Sequence, residues 1–249
     1  MLLNIGQPVI TIKTNILDIE VPKQLEVNVP TGIPHIDALF AGDGIMPSTA
    51  SILTGIPGAG KTTLALQMAD ACTGMGHIAI YNSGEESLYQ LRKVVRRLDL
   101  KHGFIPSYEQ SVQGIVAMAR QVQKQNKGKQ VFLFVDSLQC VEMEREKGKR
   151  GRASGAANKE VQTTIAFTQW CKETYGILIL IGMVTKDGTF AGKQAIRHVV
   201  DAHLHLSVDT EKKSETYGMR TACMEKNRTG QAAMIYGYDI SSAGVRFAT

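Results

Sequence analysis

Short apolar runs alternate with amphipathic segments through the middle of the chain. Four of the apolar runs, each bounded by glycine or by charged residues, predict strands. They are Ala50 to Thr54, His77 to Asn82, Val131 to Asp136 and Ile177 to Val184. Segments with helical spacing of their apolar residues lie between them and predict helices at Lys61 to Cys72, Glu85 to Leu98, Tyr108 to Gln125 and Asn158 to Tyr175. Strands that alternate with helices are typical of a wound, mostly parallel sheet, so we expect an α/β fold.

The two ends of the chain have a different pattern. After Val200 the segments AHLHLSV, YGMRTACME, AAMIYGYDI and VRFAT predict short strands joined by polar turns, so the sheet is expected to end in antiparallel hairpins. Residues 1–30 contain the β-prone stretches PVITIK and QLEVNV, interrupted by Pro22 and Pro30. We interpret this segment as an appended strand or arm with a possible role in oligomerisation, and residues 31–249 as the main domain.

Composition excludes several classes of protein. A hydrophobic content of 43% and a charged content of 20% over 249 residues are ordinary for a globular chain. The longest apolar run, Ile177 to Val184, is far shorter than the roughly 20 residues that cross a bilayer. The N-terminus lacks the basic and apolar regions of a secretory signal, so we expect a cytoplasmic protein without a membrane partner. Four widely spaced cysteines predict reduced core residues, and the net charge of +5 permits an anionic partner.

A phosphate-binding motif follows the first predicted strand. The sequence from Gly55 to Thr62 satisfies the pattern GxxxxGK[ST] and leads into a predicted helix. Such a loop wraps backbone amides around phosphate oxygens, its lysine holds the outer phosphates, and its hydroxyl binds magnesium. A glycine-rich turn without a ligand is the alternative, which the flanking strand and helix disfavour. We therefore assign ATP to Gly55, Ile56, Pro57, Gly58, Ala59, Gly60, Lys61, Thr62 and Thr63, and Mg²⁺ to Thr62.

Carboxylates at the ends of two other predicted strands complete the expected site. Asp136 ends the apolar run VFLFVD and is the expected second magnesium ligand, although a strand-ending aspartate can also simply cap the next turn. Glu85 and Glu86 directly follow the strand HIAIYNS, at the edge where wound sheets bind ligands. Either one is a candidate for orienting the attacking water, or both are acids of the first helical turn; spacing alone does not decide.

Five motifs in order resemble the RecA-like ATPases, and most closely the bacterial RadA (Sms) family. They are TGIPHID at residues 31–37, the phosphate loop, SGEES at 83–87, VTKDG at 184–188 and KNRTG at 226–230. The resemblance runs from about Thr31 to the C-terminus and implies a RecA-like core. The chain departs from the RadA pattern in having no room for the zinc finger and Lon-like domain that usually flank that core. Thr229 also replaces a phenylalanine of the last motif, and Met183 stands where histidine is common.

The resemblance implies roles for three residues. Glu85 would be the hydrolytic glutamate, and Lys226 and Arg228 would reach the nucleotide of a neighbouring subunit. A site completed in this way requires a homo-oligomer, either a hexameric ring or a filament. Without the ordered motifs, Lys226 and Arg228 would be interpreted as a solvated basic turn.

Two segments are candidates for contact with nucleic acid. Cations follow the third predicted strand at Arg145, Lys147, Lys149, Arg150 and Arg152, interleaved with small residues, and Lys186 and Lys193 follow the fourth. In RecA-like proteins these two loops face the central channel and hold DNA. A solvated surface insertion is the alternative, since charge runs usually have that role.

These observations predict a magnesium-dependent ATPase that binds single-stranded DNA and couples hydrolysis to recombination, repair or strand movement, with other recombination or replication proteins as possible partners. One alternative is an annealing or signalling module in which ATP mainly controls assembly. The other is a P-loop kinase that phosphorylates a small molecule and does not need Arg228.

Overall fold

The computed structural model describes residues 15–144, 156–182 and 193–248, with side chains omitted at 156–158 and 193. Its strands are β1 (Ala50–Gly55), β2 (Ile78–Ser83), β3 (Ile105–Ser107), β4 (Val131–Asp136), β5 (Ile177–Ile181), β6 (Ala202–Val208), β7 (Arg220–Asn227), β8 (Ile235–Ser241) and β9 (Gly244–Phe247). Its helices are α1 (Pro34–Phe40), α2 (Lys61–Gly74), α3 (Leu88–Arg97), α4 (Val112–Gln125), α5 (Ala156–Thr174) and α6 (Lys193–Val199). All four predicted helices and all four predicted core strands are present.

The strands form one sheet in the order β3-β2-β4-β5-β1-β6-β7-β8-β9. The first six run parallel to one another, and β7, β8 and β9 continue the sheet as antiparallel strands. The predicted α/β class with antiparallel strands at the C-terminal end is confirmed. The segment AHLHLSV differs in one respect, because it forms β6 and pairs in parallel with β1 before the antiparallel part begins.

Two apolar layers cover the faces of the sheet. Alternate residues of β4 point to opposite sides, as the period of a strand requires. Phe132 and Phe134 pack on the side of α2 and the C-terminal strands, while Leu133 and Val135 pack on the side of α4 and α5. Both layers are shielded from solvent, which holds the strand ends in fixed positions for the site. Cys72 and Cys171 lie in this core, but Cys140 and Cys223 are only partly buried.

Helix α3 begins later than its periodicity predicts. Ser87 is the N-cap: its hydroxyl accepts from the Gln90 amide at 3.3 Å, and the Gln90 side chain accepts from the Ser87 amide at 3.0 Å. This capping box starts the helix at Leu88. Glu85 and Glu86 therefore precede the helix, so their interpretation as first-turn acids is wrong.

The TGIPHID segment forms a local structure that sequence periodicity did not predict. Helix α1 begins within it, at Pro34, and continues to Phe40. The Asp37 carboxylate accepts from both the amide and the hydroxyl of Thr31, each at 2.7 Å, and both side chains are buried. This motif therefore fixes the entry of the chain into the core.

The described part of the N-terminal segment is not a strand. Ile16–Asp18 and Lys23–Leu25 are short 3-10 turns, and Val29 makes an isolated bridge to Ile45. The β-prone stretch QLEVNV has no neighbouring strand to pair with along most of its described length, which explains the difference. PVITIK lies outside the described residues, and the role of residues 1–30 in oligomerisation stays a prediction. Across the described ranges, no helix is long and apolar enough to span a membrane.

Candidate nucleotide-binding site

The phosphate loop connects the end of β1 to the start of α2, as predicted. Gly58 and Gly60 have positive φ angles of 81° and 95°, a conformation that glycine adopts without the steric cost of a Cβ atom. Gly60 is the N-cap of α2, so the amides of the first helical turn and the positive end of the helix dipole face the loop. This geometry is suited to phosphate oxygens.

Lys61 lies folded against its own loop. Its Nζ donates to the carbonyl oxygens of Gly55 at 2.8 Å and Ile56 at 3.2 Å, and the residue is only 9% exposed. Burial lowers the pKa of the ammonium, while the negative charges of Asp136 and Glu85 oppose that shift. A buried cation beside the loop is the group that an incoming phosphate can pair with.

Thr62 and Asp136 meet as the sequence predicted. The Thr62 hydroxyl donates to Asp136 Oδ2 at 2.8 Å. Burial raises the pKa of Asp136, and hydrogen bonds from Tyr81 and Thr62 act against that rise. A hydroxyl and a carboxylate oxygen are the hard ligands that Mg²⁺ prefers, so these two residues fit the implied metal. Among the described residues no group of three or more His, Cys, Asp or Glu could hold a metal ion.

Glu85 lies beside this pair, whereas Glu86 is oriented differently. Glu85 Oε1 accepts from the Ser137 hydroxyl at 2.5 Å, and Ser137 directly follows Asp136. The charge of Glu85 also acts on both Lys61 and Asp136. Glu86 instead contacts the Ser83 hydroxyl through its backbone amide and carbonyl. Of the two acids, Glu85 is the one whose carboxylate has a hydrogen bond next to Asp136, while the charge of Glu86 acts on the buried Tyr81.

Four contacts of the site were missed by sequence reasoning. Arg220 of β7 donates to the Gly58 carbonyl at 3.0 Å, and the Tyr238 hydroxyl of β8 donates to the Ala59 carbonyl at 2.6 Å. The Tyr81 hydroxyl donates to Asp136, and Ser137 donates to Glu85. Ser137 follows Asp136 directly, which is a usable signal. Arg220 and Tyr238 are more than 150 positions from the loop, so no local pattern connects them to it.

Lys226 and Arg228 lie at the other edge of the parallel strands. Asn227 pairs with Ala202, which pairs with Ser51 at the start of β1, whereas the phosphate loop follows the end of β1. Four residues of strand, about 13 Å, separate these levels of the sheet. These two cations are therefore remote from the phosphate loop of their own chain.

Both cations are tethered at that edge. Lys226 Nζ donates to the carbonyls of Arg197 and Val200, and burial lowers the pKa of Lys226, with the positive charge of Arg228 adding to that effect. Arg228 donates to the His198 carbonyl at 3.0 Å and lies 3.6 Å from Asp201. Its side chain is 52% exposed.

The predicted DNA-binding cations are mostly not covered by the structure. Arg145, Lys147, Lys149, Arg150, Arg152 and Lys186 lie outside the described residues. Lys193 begins helix α6, and its side chain is not described. The strands that precede the two segments, β4 and β5, are neighbours in the sheet and end at the edge that holds Asp136.

Comparisons with known proteins agree with this architecture. A family model described as "ATPase: KaiC" matches residues 29–132. The DNA repair protein RadA of Mycobacterium tuberculosis is 32% identical over 203 residues, which is 82% of this chain and 40% of that protein. RadA of Haemophilus influenzae is 30% identical over 91% of this chain and 46% of its own length. The chain thus spans less than half the length of these relatives.

Solved structures share the fold at lower identity. A DnaB-like replicative helicase superposes with a TM-score of 0.71 at 18% identity, covering 86% of this chain and 60% of that chain. A KaiC-like protein from Pyrococcus horikoshii gives a TM-score of 0.68 at 19% identity, covering 90% and 99%. The phosphate loop, the carboxylates beside it, the sheet order and these similarities agree, and we conclude that the chain belongs to the RecA-like P-loop ATPases and is related to RadA.

Proposed function

We propose that this protein is a magnesium-dependent ATPase that assembles into a homo-oligomeric ring or filament, binds single-stranded DNA and couples hydrolysis to recombination, repair or strand movement. The observation that carries the proposal is the distribution of charged residues along the sheet. Lys61, Asp136 and Glu85 converge at one edge of the parallel strands, while Lys226 and Arg228 lie at the other.

Each residue at the first edge has a distinct role. Lys61 would exchange its loop carbonyls for phosphate oxygens, and Thr62 and Asp136 would hold magnesium. Bound magnesium would neutralise charge that develops on the phosphates. Glu85 orients the attacking water, and the Ser137 hydroxyl holds that carboxylate in place. Catalysis of this kind depends on positioning and charge stabilisation rather than on a covalent intermediate.

The position of the second edge supports action between subunits. A guanidinium about 13 Å along the strands from its own loop does not reach its own nucleotide. In a head-to-tail assembly, this edge of one subunit would face the phosphate loop of the next. Arg228 is half-exposed and held by a carbonyl and a carboxylate, so it is positioned without being enclosed.

Residues 15–27 of the N-terminal arm support an assembly contact. Its side chains Ile16, Leu17, Val21 and Val27 are 77%, 88%, 56% and 69% exposed. Its charged residues are Asp18, Glu20, Glu26 and Lys23, which leaves the segment acidic. The hydrogen bonds recorded for residues 15–27 all remain within the arm. Exposed apolar side chains of this density are typical of an interaction surface.

A groove of about 340 Å³ beside helix α3 has apolar and basic side chains that complement the apolar, acidic arm. Its lining includes the apolar residues Leu88, Leu91, Val95 and Phe104 and the cations Arg92 and Lys101, the second of which pairs with Asp99 at 2.5 Å. The arm of one copy would dock in this groove of the next, with apolar side chains buried and charges paired.

Reversing two arm charges (Asp18→Lys with Glu20→Lys) is expected to dissociate the oligomer, as measured by light scattering. Adding Arg92→Glu with Lys101→Glu is expected to restore the oligomer. An unchanged assembly mass in the first variant contradicts this contact.

The DNA part of the proposal rests on the cations Arg145, Lys147, Lys149, Arg150, Arg152, Lys186 and Lys193. The segments that contain them follow two adjacent strands that end beside the proposed magnesium site, so DNA held there would lie next to the nucleotide. Relatives named as DNA repair proteins and a structural neighbour described as a replicative helicase add support.

ATP turnover with and without single-stranded DNA, at two salt concentrations, tests the proposal. We expect stimulation by DNA that weakens as salt rises, because phosphate contacts release counterions. Lys61→Ala is expected to abolish turnover, and Arg228→Ala to lower it by roughly 10³-fold or more, as removal of an arginine finger does. Lys124→Ala, at an exposed lysine of α4, is the matched control and should retain turnover.

The outcomes separate the alternatives. An ATP turnover rate that DNA does not change but that requires Arg228 indicates an annealing or signalling module in which ATP controls assembly. A rate that neither DNA nor the loss of Arg228 changes contradicts the proposed function and leaves a generic P-loop enzyme such as a small-molecule kinase.

A further inference from the structure

A buried tyrosine contacts the proposed magnesium ligand from the adjacent strand. The Tyr81 hydroxyl of β2 donates to Asp136 Oδ2 of β4 at 2.6 Å. The same oxygen accepts from the Thr62 hydroxyl at 2.8 Å. One carboxylate oxygen therefore has two donors, and only one of them belongs to the phosphate loop.

The tyrosine is rigidly held and remains a donor. Its ring is fully buried and packs against Phe104 and Phe134, with ring centroids 5.3 Å and 6.1 Å away. A phenol carries its proton at neutral pH, so the hydroxyl is a donor. A buried hydroxyl needs an acceptor, and the one recorded for Tyr81 is Asp136.

The two donors differ in what magnesium demands of them. Thr62 would turn a lone pair of its hydroxyl toward the metal while its O–H donates to Asp136, so the metal would also set the orientation of this donor. Tyr81 would not bind the metal, so its hydrogen bond to Asp136 persists when the metal binds. Without Tyr81, Thr62 would be the sole donor to this carboxylate within the described ranges, and the orientation of the carboxylate would depend on a group that the metal itself contacts.

We propose that Tyr81 is a positioning residue for the divalent cation: it fixes the Asp136 carboxylate on its Oδ2 side so that the remaining lone pairs face the metal and its water ligands. This inference rests on the proposed nucleotide and magnesium site. It predicts that substitution of Tyr81 changes the affinity for metal and leaves the affinity of the loop for phosphate unchanged.

Tyr81→Phe tests the proposal, because phenylalanine keeps the ring and removes only the hydroxyl. Binding of Mn²⁺ to the protein–ADP complex, followed by electron paramagnetic resonance, is the readout. We expect the half-saturating Mn²⁺ concentration to rise by up to about tenfold, because a carboxylate that Tyr81 no longer orients must be ordered when the metal binds. Affinity for ADP without metal should not change. Tyr89→Phe makes the same chemical change at a side chain that is 87% exposed and should leave Mn²⁺ binding unaltered.

The same substitution in an Asp136→Asn protein distinguishes an effect of Tyr81 through Asp136 from a general effect on the structure. In an Asp136→Asn protein, adding Tyr81→Phe should produce no further loss of Mn²⁺ affinity, because the carboxylate that Tyr81 orients is gone. A tenfold loss that persists in this background overturns the proposal. Equal Mn²⁺ affinities in wild type and Tyr81→Phe also overturn it while leaving the ATPase intact. Failure of the wild-type protein to bind ADP would instead contradict the proposed function.

Discussion

The Asp136 carboxylate is buried and ionisable, and these two properties oppose each other. Only 8% of the residue is exposed, and burial raises its pKa despite hydrogen bonds from Tyr81 and Thr62. In Lys61, burial and positive charge oppose each other in the same way, because burial lowers the pKa of its ammonium. Both residues therefore reduce the stability of the nucleotide-free fold at neutral pH. Their arrangement is suited to binding a metal and phosphates, which would compensate each charge.

Asp136→Asn should make the nucleotide-free protein more stable at neutral pH. A carboxyl with a raised pKa in the folded state contributes stability below its unfolded pKa and loses that contribution as pH rises through the folded pKa. We expect the Tm to increase by about 3 °C at pH 7, with the difference between variant and wild type shrinking as the pH is lowered toward the unfolded pKa. Differential scanning calorimetry across this range measures it, and a lower Tm for the variant at neutral pH contradicts the burial argument. Turnover should be lost.

Among the elements of the fold, the C-terminal hairpin of β8 and β9 is attached to the helix that follows the phosphate loop. The Gln67 side chain of α2 donates to the Val245 carbonyl at 3.1 Å and accepts from the Val245 amide at 2.8 Å. Tyr238 and Arg220 reach the loop carbonyls from neighbouring strands. The antiparallel extension thus supports the loop from outside.

Gln67→Ala should release this hairpin. Two hydrogen bonds disappear and both backbone groups of Val245 lose their partner, so the free energy of unfolding should fall by about 2 kcal/mol. Hydrogen exchange should accelerate in β8 and β9 more than in β4. Gln121→Ala is the matched control, since it makes the same change at an exposed position of α4. Equal stabilities for the two variants would show that the hairpin does not depend on Gln67.

Sequence patterns predicted these elements unevenly. The core strands and the four longer helices are correct because their apolar runs are long and periodic. Helix α1, strand β3 and helix α6 were missed because each has seven residues or fewer. The start of α3 was misjudged because the capping box of Ser87 and Gln90, rather than periodicity, decides it.

At the scale of the whole molecule, the two charged edges of the sheet predict complementation between subunits. Lys61→Ala and Arg228→Ala proteins should each lack ATPase activity alone, and a mixture of the two should be active. In a mixture of Lys61→Ala and Arg228→Ala subunits, a site is complete where an Arg228→Ala subunit supplies the loop and a Lys61→Ala subunit supplies the arginine. Random mixing should restore about one quarter of the sites. ATP turnover of the mixture measures this recovery.

Mixing each variant with itself is the control, and the recovery should vanish when the arm charges of both variants are reversed. A mixture no more active than its components would contradict completion of the site between subunits.

Local sequence patterns were sufficient to predict the phosphate loop, the alternation of strands and helices, and the meeting of Thr62 with Asp136, because each depends on short-range spacing or on the common edge of parallel strands. They also suggested Glu85 and Glu86 without choosing between them. The three-dimensional arrangement was needed to separate those two acids, to bring Tyr81, Arg220 and Tyr238 to the site, and to put Lys226 and Arg228 at the opposite edge of the sheet. These contacts depend on the order and direction of strands distant in the chain, which no local pattern encodes.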